Sequence, residues 1–339
     1  MKNVTIQDIA NAAGVSKSTV SRVLNGKVAV NAEKKKAVLE ATKRLGFRPN
    51  IVAQSLARGR SMTVGVVTQL VGSPFYDTIV EGVIAGLQGT NYSPVFVDGQ
   101  LNREEELAGI RTLIGRQVDG LVLIAGKIPG TEIADLCRDI PKVIIARELP
   151  SDVHHCVWVD NVDGGYQVTK YLLENGHRKI ALISGTAEHP DTKDRLRGYQ
   201  KALGEYGLET TTELLLDGDF TASSGERCME RLLASGQEFS AVFAMSDRMA
   251  FGARLALFKN GLRVPDDISL IGFDDQIESA YMTPPLTTFR QPAKEMGEAA
   301  VKDLLCLMAD NDAKPFAAQS ELIVRESVGK CKKTGLSRL

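Results

Sequence analysis

The stretch Thr5-Ile-Gln-Asp-Ile-Ala-Asn-Ala-Ala-Gly-Val-Ser-Lys-Ser-Thr-Val-Ser-Arg-Val-Leu24 contains two helix starts in close succession. Thr5 followed three residues later by Asp8 has the form of a capping box, in which a hydroxyl and a carboxylate serve the free amides of a first turn. Ile6, Ile9, Ala10 and Ala13 then recur at helical spacing and form one apolar face. Gly14 ends that helix, since a tight turn there favours positive φ. Ser16 can cap a second helix whose Val20, Val23 and Leu24 point inward. Two helices cross closely only where the contact residue is small, and Ala10 meets that need. The succession Ala10, Gly14, Val20 is the small, turning and β-branched set of a helix-turn-helix. Asn31 opens a third helix through Ala37, Val38, Ala41 and Leu45 to Gly46. The spacing predicts an all-α DNA-binding head over residues 1–48.

Charge segregates with this head. Residues 1–60 hold seven Lys and five Arg against Asp8, Glu33 and Glu40, a net of +9 in a chain of 339 residues whose total is −1. A basic head on an acidic body points to a polyanion that meets the head alone. In such motifs the second helix enters the major groove by its N-terminal end. Lys17, Ser18, Ser21 and Arg22 lie opposite its inward face. Arg22 is the leading base reader, because a guanidinium matches the two acceptors of guanine, worth about 1–3 kcal/mol of discrimination. Lys17 and Ser18 read adjacent bases. Ser16, Thr19 and Asn25 hold phosphates, which fix register without reading sequence. Thr5 and Ser21 complete the DNA-facing set.

No apolar run approaches the roughly 18 residues of a membrane span, and Gln7, Asp8 and Asn11 interrupt the N-terminus where a secretory signal needs a continuous apolar core. The expectation is a cytoplasmic protein with no membrane partner. Cys137, Cys156, Cys228, Cys306 and Cys331 form no CxxC pair, and His154-His155 reads as a strand end, so no disulfide framework, metal or cofactor is expected.

From Thr63 onward short apolar strand patterns alternate with amphipathic helices. Strands are predicted at 63–68, 94–98, 120–124, 143–146, 179–184, 213–216, 241–244 and 268–273, with helices such as 104–116, 164–175 and 249–260 between them. Eight such strands divide into two doubly wound parallel-sheet lobes. Gly82, Gly86 and Gly89 lack the GxGxxG spacing, no GKS or GKT follows a strand, and no catalytic triad stands out, so an enzyme is not expected. Ligands of such sheets lie in the crevice at the carboxyl ends of the strands. Phe75, Tyr76, Arg147, Asp191, Arg195, Phe220, Ser246 and Asp274 are offered there. Rings can cover the C–H face of a sugar while Arg and Asp bond its hydroxyls.

Val4-Thr-Ile-Gln-Asp-Ile-Ala10 followed by Ala13-Gly-Val-Ser-Lys-Ser-Thr-Val-Ser-Arg-Val-Leu-Asn-Gly26 resembles the lactose-repressor (LacI/GalR) family, and the similarity runs over nearly the whole chain. The resemblance implies a periplasmic-binding-protein-like body whose chain crosses between lobes near 159–162, 289–292 and 320–323. The divisions are then a hinge helix and linker at 49–61, an N-terminal lobe of 62–161 plus 291–321, a C-terminal lobe of 162–290 plus 322–330, and a disordered tail at 331–339. It implies that Asn50, Ala53 and Leu56 of the hinge touch DNA, Leu56 as a minor-groove wedge. It also implies Arg147, Arg195, Phe220 and Asp274 as the leading effector contacts. Two departures stand out: Ser246 where many members place Asn before the Asp, and Ala146 where ribose-type members place Asp before Arg, which disfavours ribose. The expected function is a homodimeric repressor of sugar-utilisation genes that binds double-stranded, pseudo-palindromic operator DNA and answers to a mono- or disaccharide. Alternatives are a purine- or nucleoside-responsive or protein-cofactor-dependent member of the family. A periplasmic sugar-binding protein would share the body but require an export signal.

Overall fold

The computed structural model describes residues 4–24, 30–47, 59–149, 155–313, 316 and 319–332. Asn25, Asn50, Ala53, Leu56 and the last residues of the tail, 333–339, lie outside that description. The chain divides into two compact units, Met1–Met62 and Thr63–Leu339.

In the first unit α1 (Ile6–Ala13) opens on the capping box: Asp8 N donates to Thr5 Oγ1 at 3.3 Å and Thr5 N to Asp8 Oδ2 at 2.8 Å. Gly14 leaves it in the left-handed region, φ 63°. Ser16 Oγ accepts from Thr19 N at the start of α2 (Lys17–Leu24), and Asn31 caps α3 (Ala32–Leu45), which ends on left-handed Gly46. Ile9, Ala10, Val20, Val23, Val38 and Ala41 form the buried core. Ile6 does not join it. It is 39% exposed, because it sits in the first turn beyond the crossing point.

The second unit carries two parallel sheets with one winding order. The first contains β1 (Thr63–Thr68), β2 (Ser93–Asp98), β3 (Gly120–Ile124), β4 (Lys142–Ile145) and β5 (Cys156–Val157), ordered β2-β1-β3-β4-β5. The other contains β6 (Ile180–Ser184), β7 (Leu215–Asp217), β8 (Ala241–Ala244), β9 (Ser269–Asp274), β10 (Thr287–Arg290) and an antiparallel β11 (Glu321–Ile323), ordered β11-β10-β9-β8-β6-β7. Without β11, each sheet runs second-first-third-fourth-fifth, the doubly wound arrangement that opens a crevice at the strand carboxyl ends. Three strands were not read from the sequence. β5 and β11 are too short to show a pattern, and Thr287-Thr-Phe-Arg290 has only one large apolar residue.

Helices cover the sheets in three tight pairs: α4 (Pro74–Leu87) with the late helix α11 (Ala293–Leu307), α7 (Asn161–Glu174) with α8 (Pro190–Glu205), and α9 (Ala222–Ala234) with α10 (Asp247–Lys259). Among the described residues the remaining helices of this unit are α5 (Arg103–Gly115) and α6 (Gly130–Leu136) on the first sheet. Each pair meets through one glycine on either side: Gly82 and Gly297, Gly165 and Gly198, Gly225 and Gly252. A Cβ on any of them would collide with backbone of the partner helix. The chain beyond β11 stays on the second sheet, where Leu270 N donates to Ser327 O at 2.9 Å. Cys331 N donates to Asn175 O and Lys332 Nζ to Asp266, so the expectation of disorder from 331 onward is corrected for these two residues.

Two glycines of α8 separate packing from propensity. Gly198→Ala is expected to lower stability by about 1–3 kcal/mol through overpacking, whereas Gly204→Ala, in open space on the same helix, is expected to raise it by up to about 1 kcal/mol. Urea unfolding of the two variants against the parent checks both signs.

Candidate functional site

The head presents one shallow concavity lined by Thr5, Ile6, Gln7, Lys17, Ser18 and Ser21. It joins the N-termini of α1 and α2, whose free amides and partial positive charge suit an anion. Lys17, Ser18 and Arg22 are exposed, as their reading as base contacts needs, while Ser21 is half-buried. Ser16 Oγ lies 2.8 Å from Ser18 Oγ and 2.9 Å from Thr19 Oγ1, so these hydroxyls form one cluster, with Thr19 half-buried beneath. Gln7 was not singled out from the sequence. Its amide pairs with Asn11 one turn on.

In the body a cleft opens where the carboxyl ends of both sheets converge. Its deeper part, about 180 Å³, is lined by Phe75, Tyr76, Asp191, Arg195, Phe220, Ser246 and Asp274. An outer part of about 960 Å³ shares Tyr76 and Asp191 and adds Arg147. All eight residues offered by the sequence therefore line one cleft, though distant in the chain.

Arg195 sits at its centre with 2% exposure. Its Nε donates to Asn161 Oδ1 at 2.8 Å and its NH1 to the Met245 carbonyl. Asp191 lies 3.6 Å and Asp274 4.0 Å from its terminal nitrogens, and its guanidinium carbon lies 3.7 Å from the centre of the Phe273 ring. Burial pushes the Asp274 carboxyl up to about 6, against the opposing pull of Arg195 and of Gln291, whose Nε2 donates to Oδ1 at 2.7 Å. Tyr76, buried near Asp191 and Asp274, has its phenol raised well above the ordinary range, so it offers a neutral hydroxyl. The neighbouring Asp275 turns away, bonding Arg290 at 2.8 Å and Arg325 at 2.6 Å. Ser246 Oγ accepts from Met249 N and caps α10.

Phe220 stands edge-on to His189 at 5.4 Å, over Gly185, where a Cβ would strike its ring. Arg147 NH1 donates to the carbonyls of Gly126 (3.2 Å) and Ile128 (2.6 Å). Buried Glu106 accepts from Lys127 N at 2.8 Å, which fixes the same loop from below. Burial pushes the Glu106 carboxyl up and the Arg147 guanidinium down, each opposed by the other's charge. Left-handed backbone recurs around this rim at Ala125 (φ 53°), Ala146 (56°), Phe220 (64°), Asp274 (113°) and Asp275 (56°). Such strain persists only where surrounding structure enforces it, as at ligand sites.

Sequence reasoning missed Gln69, Trp158, Asn161, His189, Gln276 and Gln291, which also line the cleft. Gln69 directly follows β1, a position that the rule of strand carboxyl ends could have flagged. Asn161 lies on the connection between the sheets and Gln291 between β10 and α11, where no periodic pattern marks them.

The family model described as "Bacterial regulatory proteins, lacI family" matches residues 5–50, and a "Periplasmic binding protein-like domain" model matches residues 169–328. The chain is 37% identical over 312 residues to the HTH-type transcriptional regulator GalR of Escherichia coli, covering 92% of this chain and 91% of that one. Among solved structures, the lac repressor dimer bound to operator and the anti-inducer ONPF superposes with a TM-score of 0.88 at 28% identity, covering 97% of this chain and 100% of that one. The transcriptional regulator CelR–cellobiose complex matches with a TM-score of 0.71 at 33% identity, covering 96% and 99%.

Folding places Asp274 where its carboxyl holds a proton up to about pH 6 instead of its ordinary 3.8. The native state then binds more protons than the unfolded chain between these values, and stability falls as pH rises through them. In denaturant titrations from pH 4 to 7, the stability of the parent relative to Asp274→Asn is expected to fall as pH rises.

Proposed function

The chain belongs to the LacI family of bacterial regulatory proteins and is a DNA-binding transcriptional regulator, not an enzyme; from that premise we propose that it represses sugar-utilisation genes as a homodimer and releases its operator when a sugar fills the cleft. The observation that carries the sugar reading is the composition of the cleft: Arg195, Asp191 and Asp274 form a hydrogen-bonding group beside Phe75, Tyr76 and Phe220. Stacking surface next to charged hydrogen-bonding groups suits a pyranose. The match to a regulator solved with cellobiose supports the same class.

Operator recognition rests on the basic head, with Arg22, Lys17 and Ser18 reading bases and Thr5, Ser16, Thr19 and Ser21 fixing register. Asn25, Asn50, Ala53 and Leu56 belong to the same proposed set, the last three on a hinge at 49–61. Effector and operator are coupled as a free-energy difference, typically about 1–3 kcal/mol, so each weakens the other equally. Binding alters the relative twist of the lobes, divided as 62–161 plus 291–321 and 162–290 plus 322–330, and the hinges follow. Dimerisation is supported by an exposed apolar patch: Leu255 (44%), Phe258 (69%), Ile277 (74%) and Tyr281 (81%), on α10 and the 3₁₀ turn Ile277–Ala280 that follows β9. Arg254 holds these segments together by bonding the Thr283 carbonyl. A surface of this kind calls for a partner, and the lac repressor is a dimer on its operator.

Selection of bound duplexes from a random pool is expected to return a pseudo-palindrome with half-sites about one helical turn apart. Affinity for that duplex is expected to fall about 10³–10⁵-fold between about 50 and 200 mM salt. Arg22→Ala should relax specificity at a single base position per half-site. A weak salt dependence, or equal binding by a chain lacking residues 1–60, would contradict the reading. Tyr281→Asp with Phe258→Glu is expected to yield monomers in sedimentation and to weaken operator binding. A double variant that stays dimeric moves the interface elsewhere.

A further inference from the structure

The two parts of the cleft differ in size but repeat a chemistry. At about 180 Å³ the deep part is smaller than the roughly 300–1,000 Å³ of ordinary small-molecule pockets, and the outer part adds about 960 Å³. Each has an aromatic ring of its own, Phe220 in the deep part and Trp158 in the outer. Each also has an amide in want of a partner. Among the described residues, Gln276 Oε1 in the deep part and both Oε1 and Nε2 of Gln69 in the outer part are buried without a hydrogen bond. Gln69 is 1% exposed, and a buried amide left unpaired is costly unless something entering the cleft bonds it. The outer lining holds five carboxylates against three cations, with Arg197 already paired to Asp194 at 2.6 Å. A surplus of negative charge repels a phosphorylated ligand.

We infer that the effector is a neutral disaccharide, one pyranose ring held in the deep part against Phe220 and Gln276 and the second in the outer part against Trp158 and Gln69. The inference rests on the sugar reading of the same cleft. A single ring leaves the Gln69 amide unsatisfied, whereas a second ring brings hydroxyls that both donate to its oxygen and accept from its nitrogen.

Isothermal titration of the full-length protein with cellobiose, lactose, maltose and melibiose, beside glucose, galactose, glucose 6-phosphate and hypoxanthine, tests it. At least one disaccharide is expected to bind about tenfold or more tighter than its free hexoses, with glucose 6-phosphate weaker than glucose. Trp158→Ala and Gln69→Leu, each shown to be folded by its melting curve, are expected to close most of that gap, whereas Phe220→Ala weakens both classes. If Trp158→Ala does not fold, Gln69→Leu and Trp158→Phe carry the comparison. A hexose binding as tightly as every disaccharide, or a gap untouched by both outer-part variants, overturns the disaccharide and leaves the sugar reading standing. Binding of hypoxanthine alone, or of no sugar at all, removes both.

Discussion

A guanidinium almost without access to water governs the cleft. Burying a charge is costly unless it is paired and hydrogen-bonded, and Arg195 meets that condition only because separate parts of the chain come to it. Asp191 stands one turn earlier on its own helix, Asp274 at the end of β9, and the Met245 carbonyl just past β8. Asn161 arrives from the connection between the two sheets, and Phe273 offers a ring face. No local segment could support this group. Once the second sheet winds in its order, β8 and β9 are neighbours and their ends must fall on one side. The left-handed backbone at Asp274 and Asp275 then divides two adjacent acids, one toward Arg195 and one toward Arg290 and Arg325.

The repetition of one winding order explains why so much of the scaffold is held by small residues. Each helix pair approaches to backbone contact through reciprocal glycines, which sets its helices close above the sheet and leaves little freedom to slide. Two of those pairs frame the cleft directly: α7 and α8 carry Asn161, Asp191 and Arg195, and Ser246 caps α10. Selective hydrogen bonding requires its polar groups to be held to within about 0.5 Å, and close-packed helix pairs suit that need.

Much of this was legible in the sequence. Thr5 with Asp8, Gly14, Asn31 and Gly46 name the head's helix boundaries because each cap has its own local chemistry. Most strands of the body were legible because parallel strands buried on both faces read as short apolar runs. The eight cleft residues followed from the rule of strand carboxyl ends and the family resemblance together. What escaped had at most a positional signature, as Gln69 had at the end of β1. Gln69 looks like any polar residue ending a strand until its burial is seen, and Asn161 and Gln291 derive their meaning from Arg195 and Asp274. The glycine pairs are equally silent, since reciprocity between helices far apart in sequence is a property of the packing.

In the function proposed above, Asn161 and Gln291 tie sensing to motion. Asn161 lies on the connection from the first sheet to the second, Gln291 lies where the chain leaves β10 for α11 over the first sheet, and both bond polar groups of the cleft, Asn161 through Arg195 and Gln291 through Asp274. A ligand can shift a conformational equilibrium only by as much as it interacts differently with the two states. In that reading, lobes that rotate about these connections change least in their interiors and most at the connections. An effector that engages Arg195 and Asp274 therefore acts on the two side chains whose partners a rotation would alter. The same argument accounts for placing buried polar groups at this junction despite their cost: an apolar junction of equal volume would pack as well in either arrangement, and would leave a hydrophilic effector nothing by which to tell them apart.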